Sequence, residues 1–292
     1  MKIGITADCS SGLEYAPFEH NIKITRTTIN FSNQTLVDGI DIKDDEFYKL
    51  LESTDEVPST SAPSIGEIQS RVNDLKNEGC TDVIHFPISS GLSPYGNNIS
   101  QLVDELFKGI NVHFFNSRLA CLMQGYVAHY AEKLASNGKN ITEILKCCEK
   151  FQEQISAFFI VDNLKYLVKN GRLTSIAGFI GTLANIKPIL RINEEGKIVP
   201  FEKVRTKGKA VERMKGLIAE AGIKYNEAIY LVLHSNRLDE ANKIAEDLKN
   251  TLPNAKRVEV TTITPTVGAH IGSGVLGIAY IGIDGLEYKE LI

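Results

Sequence analysis

The stretch Asp82-Val83-Ile84-His85-Phe86-Pro87-Ile88, written DVIHFPI, runs directly into Ser89-Ser90-Gly91-Leu92-Ser93. An apolar run closed by Ser and Gly reads as a buried strand ending in a loop. Periodicity then predicts a helix from about Asn97 to Phe107, a strand at Val112 to Phe115 and a helix from about Leu119 to Leu134. Upstream, KIGITAD (Lys2 to Asp8) is a strand ending at the polar turn Asp8-Cys9-Ser10-Ser11-Gly12, and Lys23 to Phe31 is a second strand. Helices follow at Asp44 to Glu52 and at Ser64 to Asn77, the latter opened by the capping-box spacing Ser64-x-x-Glu67. Strands alternating with helices imply βαβ units and a parallel sheet.

After a helix around Ile141 to Gln154 the texture changes. Ala157 to Val161 is a strand, and Leu164 to Val168 is a short helix stopped at Asn170-Gly171. KPILRI and KIVPF, on either side of Asn193-Glu194-Glu195-Gly196, form a hairpin that a purely parallel sheet would lack. Helices at Lys209 to Ala221 and Asp239 to Leu252 alternate with strands at Ala228 to Leu233 and Arg257 to Thr262, so the second sheet is expected to be mixed. The last strand, Val275 to Ile283, is expected to return to the first sheet. The fold class is α/β in two domains. Residues 1–155 plus a C-terminal strand at about 275–292 form an α/β/α layer with a mainly parallel sheet; residues 156–274 form an α/β domain with a mixed sheet.

The length of 292 residues suits two domains, and 43% apolar with 23% charged residues is a globular composition. No apolar run reaches the length of a membrane span, and MKIGITADCSS lacks a signal-peptide core, so a cytoplasmic location is expected. A net charge of -4 argues against a nucleic-acid partner. The five cysteines include no C-x-x-C and the six histidines are scattered singly, so no metal is expected.

Four stretches carry candidate chemistry. In TSAPS, Thr60 and Ser61 precede the capped helix; they are either plain loop residues or hydroxyls for an anion. Ser89 to Ser93 lies where a parallel strand ends, the usual ligand position of open α/β sheets, although a capping loop would look the same. Gly91-Leu92-Ser93-Pro94-Tyr95-Gly96 puts the second glycine one residue late for a nucleophile elbow. Lys203, Arg205, Lys207 and Lys209 alternate, which in an extended segment places them on one face. Such a run usually protects a sheet edge, and Arg205 is the member suited to holding an anion bidentately. Finally, Gly272, Gly274 and Gly277 spell G-x-G-x-x-G, but only 15 residues follow and Val275 to Ile283 is strand-like, so no dinucleotide-binding unit can form. The stretch reads instead as a pliable loop carrying His270, with Gly171-Arg172 a further basic element of more structural character.

Taken in order, ITAD-CSS, TSAPS, ISSGLS, YLVKNGRLTS with IKPIL, KVRTKGKA and GAHIGSGVLG resemble the DegV family of bacterial lipid-binding proteins over essentially the whole chain. Within that family the chain is similar to the fatty-acid-binding subunits of bacterial fatty acid kinases. The resemblance implies a fatty acid in a tunnel between two domains, with Thr60, Ser61 and Ser93 on its carboxylate and Arg205 and His270 where phosphate is transferred. It implies no cofactor, and no catalysis without a partner kinase that supplies the ATP chemistry. Departures stand beside the proposed head group: Pro94-Tyr95-Gly96 where the family has Gly-Thr-Tyr, Ala62 for a common glutamine, and Ile271-Gly272-Ser273-Gly274 for Thr-Gly-Pro-Gly.

Physical chemistry points the same way. A tail of about 15 methylenes gains on the order of 12 kcal/mol gross on leaving water, whereas a buried carboxylate needs donors and a cation. The small, apolar SIAGFIGTLANI, with Ile176, Phe179 and Ile180, suits a tunnel wall or a packed helix. A histidine titrating near neutrality at position 270 would also handle protons. The competing readings are a serine-dependent acyl hydrolase using Ser93 and His270, and a nucleotide-dependent oxidoreductase at the terminal glycines.

Overall fold

The computed structural model describes residues 2–173 and 186–289. β1 (Ile3–Asp8) closes in a tight 3-10 turn, and β2 (Lys23–Thr25), β3 (Thr28–Asn30) and β4 (Thr35–Val37) lead to α1 (Asp44–Glu52). Then come β5 (Ser59–Ser61), α2 (Ile65–Asn77), β6 (Asp82–Phe86), α3 (Tyr95–Ser100), α4 (Val103–Leu106), β7 (Asn111–Phe114), α5 (Cys121–Ser136) and α6 (Ile141–Gln152). The remainder is β8 (Ile155–Ile160), α7 (Lys165–Lys169), β9 (Lys187–Ile192), β10 (Ile198–Val204), α8 (Lys207–Gly222), β11 (Ala228–His234), α9 (Leu238–Thr251), β12 (Ala255–Thr262), α10 (Pro265–Ile271) and β13 (Leu276–Gly282).

The first sheet, β2-β1-β6-β7, is parallel throughout. The second, β10-β9-β8-β13-β11-β12, is mixed: β11 and β12 run parallel and every other pair is antiparallel. A small antiparallel sheet, β4-β3-β5, stands beside them. Alternation along β11 shows how the layers are joined. Ile229, Leu231 and Leu233 enter a core shared with α5, α6 and the first sheet, while Ala228, Tyr230 and Val232 enter a second core with α8 and α9. A period of two with both faces apolar is what a strand covered on both sides requires. α2, α3 and α4 cover the far side of the first sheet through Ile68, Val72, Leu75 and Ile99. Ser64 caps α2 by accepting the Glu67 amide at 3.1 Å.

Four expectations are corrected. The last strand does not return to the first sheet: β13 lies between β8 and β11. Both edges of β1 are already taken by β2 and β6, and the turn after α10 aims the chain antiparallel to β11, with the Gly274 amide on Ser235 O at 2.9 Å. The strand expected over Lys23 to Phe31 splits into β2 and β3, because the buried Thr27 turns into a polar cluster with Cys9. The helix expected over Asn97 to Phe107 is two short ones, in a stretch rich in the weak helix formers Asn97, Asn98 and Ser100. Lys203, Arg205, Lys207 and Lys209 do not share one extended face, since Thr206 caps α8 and the last two residues belong to its first turn.

Candidate functional site

A cavity of about 90 Å3 opens at the carboxyl ends of β1 and β6, the position where parallel sheets present ligands. Its polar wall gathers Thr60 from β5, Ser93 from the loop after β6, Arg172 from the residue pair closing α7, and His270 from the last turn of α10. Leu92, Ile198 and Ile271 supply apolar wall. The volume lies below the roughly 300 Å3 at which pockets for whole ligands begin, so the space fits a head group rather than a chain.

Strand geometry separates Thr60 from its neighbour. Successive side chains of β5 point oppositely, so Thr60 reaches the cavity while Ser61 faces outward and accepts a hydrogen bond from Asn30 Nδ2 at 3.0 Å. The Ser93 hydroxyl has no partner among the described residues. Arg205 is not brought here. It lines a wider recess of about 780 Å3 with Asp162, Lys165 and Lys187. Ile176, Phe179 and Ile180 lie outside the described residues.

His270 sits on a helix, not in a pliable loop: Thr264 and Pro265 start α10 and Gly272 ends it. Thr60 Oγ1 lies 2.8 Å from His270 Nε2, and Nδ1 is buried without a partner among the described residues. Burial, helped by the Arg172 charge, pulls His270 down to about 4. The imidazole is therefore neutral at pH 7 and does not titrate near neutrality as the sequence alone suggested.

Arg172 is the residue that sequence reasoning undervalued. Gly171, at φ 66, lets the chain leave α7 and turn Arg172 inward, where Nε donates to Leu92 O at 3.3 Å and Nη1 to Asn170 O. No described carboxylate pairs with it, and burial lowers its pKa. A cation held by carbonyls, beside the free Ser93 hydroxyl and a neutral imidazole, can receive one anion. The signal available in sequence was only the basic residue after a helix-stopping Asn-Gly.

Asp8 forms the floor. Oδ1 accepts from Ser10 N at 3.1 Å and Gln124 Nε2 at 3.2 Å, and Oδ2 accepts from Ile88 N at 2.7 Å and from the Tyr95 hydroxyl. Burial raises its pKa against these donors. Because the single Tyr95 hydroxyl proton goes to Asp8, His85 Nε2 must donate to Tyr95 (3.2 Å) and Nδ1 must accept from Thr6 Oγ1 (2.8 Å). Burial pushes His85 down to about 3.

The terminal glycines serve packing. β13 starts within the motif, at Leu276, with no helix opening there. Gly272 and Gly274 take φ of 84° and 86°, and a Cβ on either would overlap Tyr166 or Asp162. Among the described residues no cluster of three or more His, Cys, Asp or Glu is placed to hold a metal ion, and no helix is long and apolar enough to cross a membrane.

The motifs, the two sheets and the position of the cavity can be set against known proteins. The DegV family model, described as an uncharacterised protein family, matches residues 2–282. The chain belongs to the DegV family. The DegV protein of Bacillus subtilis (strain 168) is 34% identical over 285 residues, covering 96% of this chain and 99% of its own. A DegV domain-containing protein of Staphylococcus aureus (strain COL) is 32% identical over 284 residues, covering 97% and 98%. Among solved structures, DegV of Bacillus subtilis, described as a fatty acid binding protein, matches with a TM-score of 0.86 at 33% identity, covering 97% of this chain and 99% of that one. A fatty acid binding DegV family protein from Streptococcus agalactiae matches at 0.87 with 28% identity and the same coverage. The family resemblance and the α/β class with one parallel and one mixed sheet are thereby borne out.

Proposed function

We propose that this DegV-family chain binds a long-chain fatty acid, its carboxylate against Arg172, Thr60 and Ser93 and its tail in an apolar tunnel. The observation that carries this reading is the Arg172 guanidinium, unpaired by any described carboxylate and lining a cavity with the Ser93 hydroxyl, which has no partner among the described residues. Two structural relatives at 28% and 33% identity are described as fatty acid binding, which supports the same ligand class here. The tail supplies affinity, on the order of 12 kcal/mol gross for about 15 methylenes, and the polar end fixes orientation. The lipid lies between two lobes, residues 1–155 and residues 156 onward, with the last strand assigned to the second lobe.

The chain then offers the carboxylate to a partner ATP-dependent kinase for acyl-phosphate formation, with His270 at the head group and Arg205 at the neighbouring recess. Support for this finer reading is the motif resemblance. It predicts acyl phosphate only when kinase, ATP and this chain are combined. A hydrolase built on Ser93 and His270 has less support, because no described carboxylate bonds His270 and an imidazole at about 4 is a weak base.

Mass spectrometry of solvent extracts from natively purified protein is the test. Near-stoichiometric long-chain fatty acid is expected. Protein that is lipid-free and unresponsive to added fatty acid would sink the reading.

A further inference from the structure

Part of the cavity wall contains hydroxyls that point the wrong way for an anion. Thr27 and Thr266 both line the cavity. Thr266 donates to Asp38 Oδ2 twice, from its amide at 2.9 Å and from its hydroxyl at 2.5 Å. That commits the only Thr266 hydroxyl proton, so Thr27 Oγ1 must donate to Thr266 Oγ1, with the Cys9 thiol adjoining both at 3.2 and 3.3 Å. The oriented chain ends on Asp38 and leaves neither hydroxyl proton free for a ligand in the cavity.

Asp38 itself is buried at 1% exposure, and its Oδ1 has no hydrogen-bond partner among the described residues. An ionised oxygen in that condition is costly, more so than a neutral O–H in the same place. Hydrogen bonds from Thr266 and the Cys9 thiol favour its charge, but the groups around it do not offset the burial. Glu14, Tyr15 and Tyr48 bring negative charge or none. Arg26 donates to the Asp38 carbonyl at 3.0 Å, but its charge is taken by Glu14. Cys9 stays a thiol because burial pushes it up, and His270, on the same helix as Thr266, is neutral. Asp8 is no substitute, since donors already fill both its oxygens.

We propose that Asp38 is the proton-holding residue of this site: an anionic head group enters the cavity together with one proton, which comes to rest on Asp38. The inference rests on the fatty-acid reading. The proton comes from solvent, an O–H bond forms on the Asp38 carboxylate, and no bond of the ligand changes. Neutral Asp38 no longer holds the hydroxyl protons, so Thr266 and Thr27 can turn and donate to the anion. Burial lifts Asp38 to about 6, which keeps a proton within reach at neutral pH. An incoming anion raises it further. The complex then binds more protons than the free protein, and affinity falls as pH rises above about 6, by at most about tenfold per pH unit for one linked proton.

The experiment is calorimetric titration of the delipidated full chain with decanoate and with decyl sulfate, whose charge is fixed, between pH 6 and 8 in buffers of different ionisation enthalpy. Uptake approaching one proton and falling affinity with rising pH are expected for both probes. Asp38→Asn should bind with flat pH dependence and no uptake. Thr266→Val removes a donor from Asp38 and should move the fall to higher pH, which keeps the test open if the first variant does not fold. Binding of both probes without uptake, or uptake that persists in Asp38→Asn, overturns the proposal. Uptake with decanoate alone places the proton on the ligand and overturns it too. Failure of both probes to bind at any pH removes the fatty-acid reading and this inference with it.

Discussion

Thr60 Oγ1 and His270 Nε2 meet at 2.8 Å across 210 positions of sequence, tying β5 to α10 at the cavity. The contact needs a neutral imidazole or one that donates, and burial beside Arg172 keeps His270 neutral down to about 4. The His270 ring is therefore expected to show no titration between pH 6 and 8 by NMR. An unfolded histidine takes its proton near 6.5, so the unfolded state binds more protons between about 6.5 and 4 and the stability contributed at neutral pH is lost on acidification. Comparing wild type with His270→Gln cancels other groups. The wild-type advantage should shrink by up to about 3 kcal/mol from pH 7 to pH 4 in denaturant titrations. A constant difference would show that the ring is not held neutral.

Arg172 and Arg205 separate two readings of the head-group site. Removing Arg172, the one cation lining the cavity among the described residues, by Arg172→Ala should cost about 1.5–3 kcal/mol of binding, the range for hydrogen bonds to charged groups, and strip lipid during purification. Arg205→Ala, at the other recess, should keep its lipid and lose turnover only when the partner kinase is supplied. Extracted fatty acid per protein, measured by mass spectrometry, decides. Lipid lost from Arg205→Ala and kept by Arg172→Ala would reverse the assignment.

The sequence carried the layered fold where periodicity was long. β11 and the β9–β10 hairpin were legible because a continuous apolar run and an Asn-Glu-Glu-Gly turn are local signals. The site was legible only as residue types. TSAPS announced hydroxyls, but which of Thr60 and Ser61 reaches the cavity depends on the register of a three-residue strand that propensity does not reveal. Arg172 was hidden because its meaning comes from Leu92 and His270, which are near only in space. β13 went astray for a related reason: partner choice among buried strands is decided by which edges are open, a global property.

Gly274 offers a stability test of the turn that feeds β13. Its φ of 86° disfavours any side chain, and a Cβ would overlap the Asp162 carboxylate that Arg237 Nη2 holds at 3.0 Å. Gly274→Ala should lose about 1–3 kcal/mol through strain and the disturbed ion pair. Gly171→Ala, also at positive φ but with open space around its Cβ, should lose less. Urea denaturation of both variants checks the ranking, and equal losses would discount the Asp162 contact.

Tyr95 links the cavity floor to the interior of the first sheet. Its hydroxyl donates to Asp8 and receives His85 Nε2, so Tyr95→Phe leaves two buried groups short of a partner and should cost about 1–3 kcal/mol. The pH dependence distinguishes the two losses. With one donor gone, burial raises Asp8 further above its unfolded value of 3.8, so the variant's folded state holds its proton to higher pH. The penalty should therefore be smallest in acid and grow as pH rises through the Asp8 range. Thr6→Val unpairs only His85 Nδ1, leaves Asp8 untouched and should carry a penalty without that growth. Urea titrations at pH 4.5 and 7 compare them. A Tyr95→Phe penalty that is the same at both values would mean that the hydroxyl serves His85 alone and contributes nothing to the charge at the cavity floor.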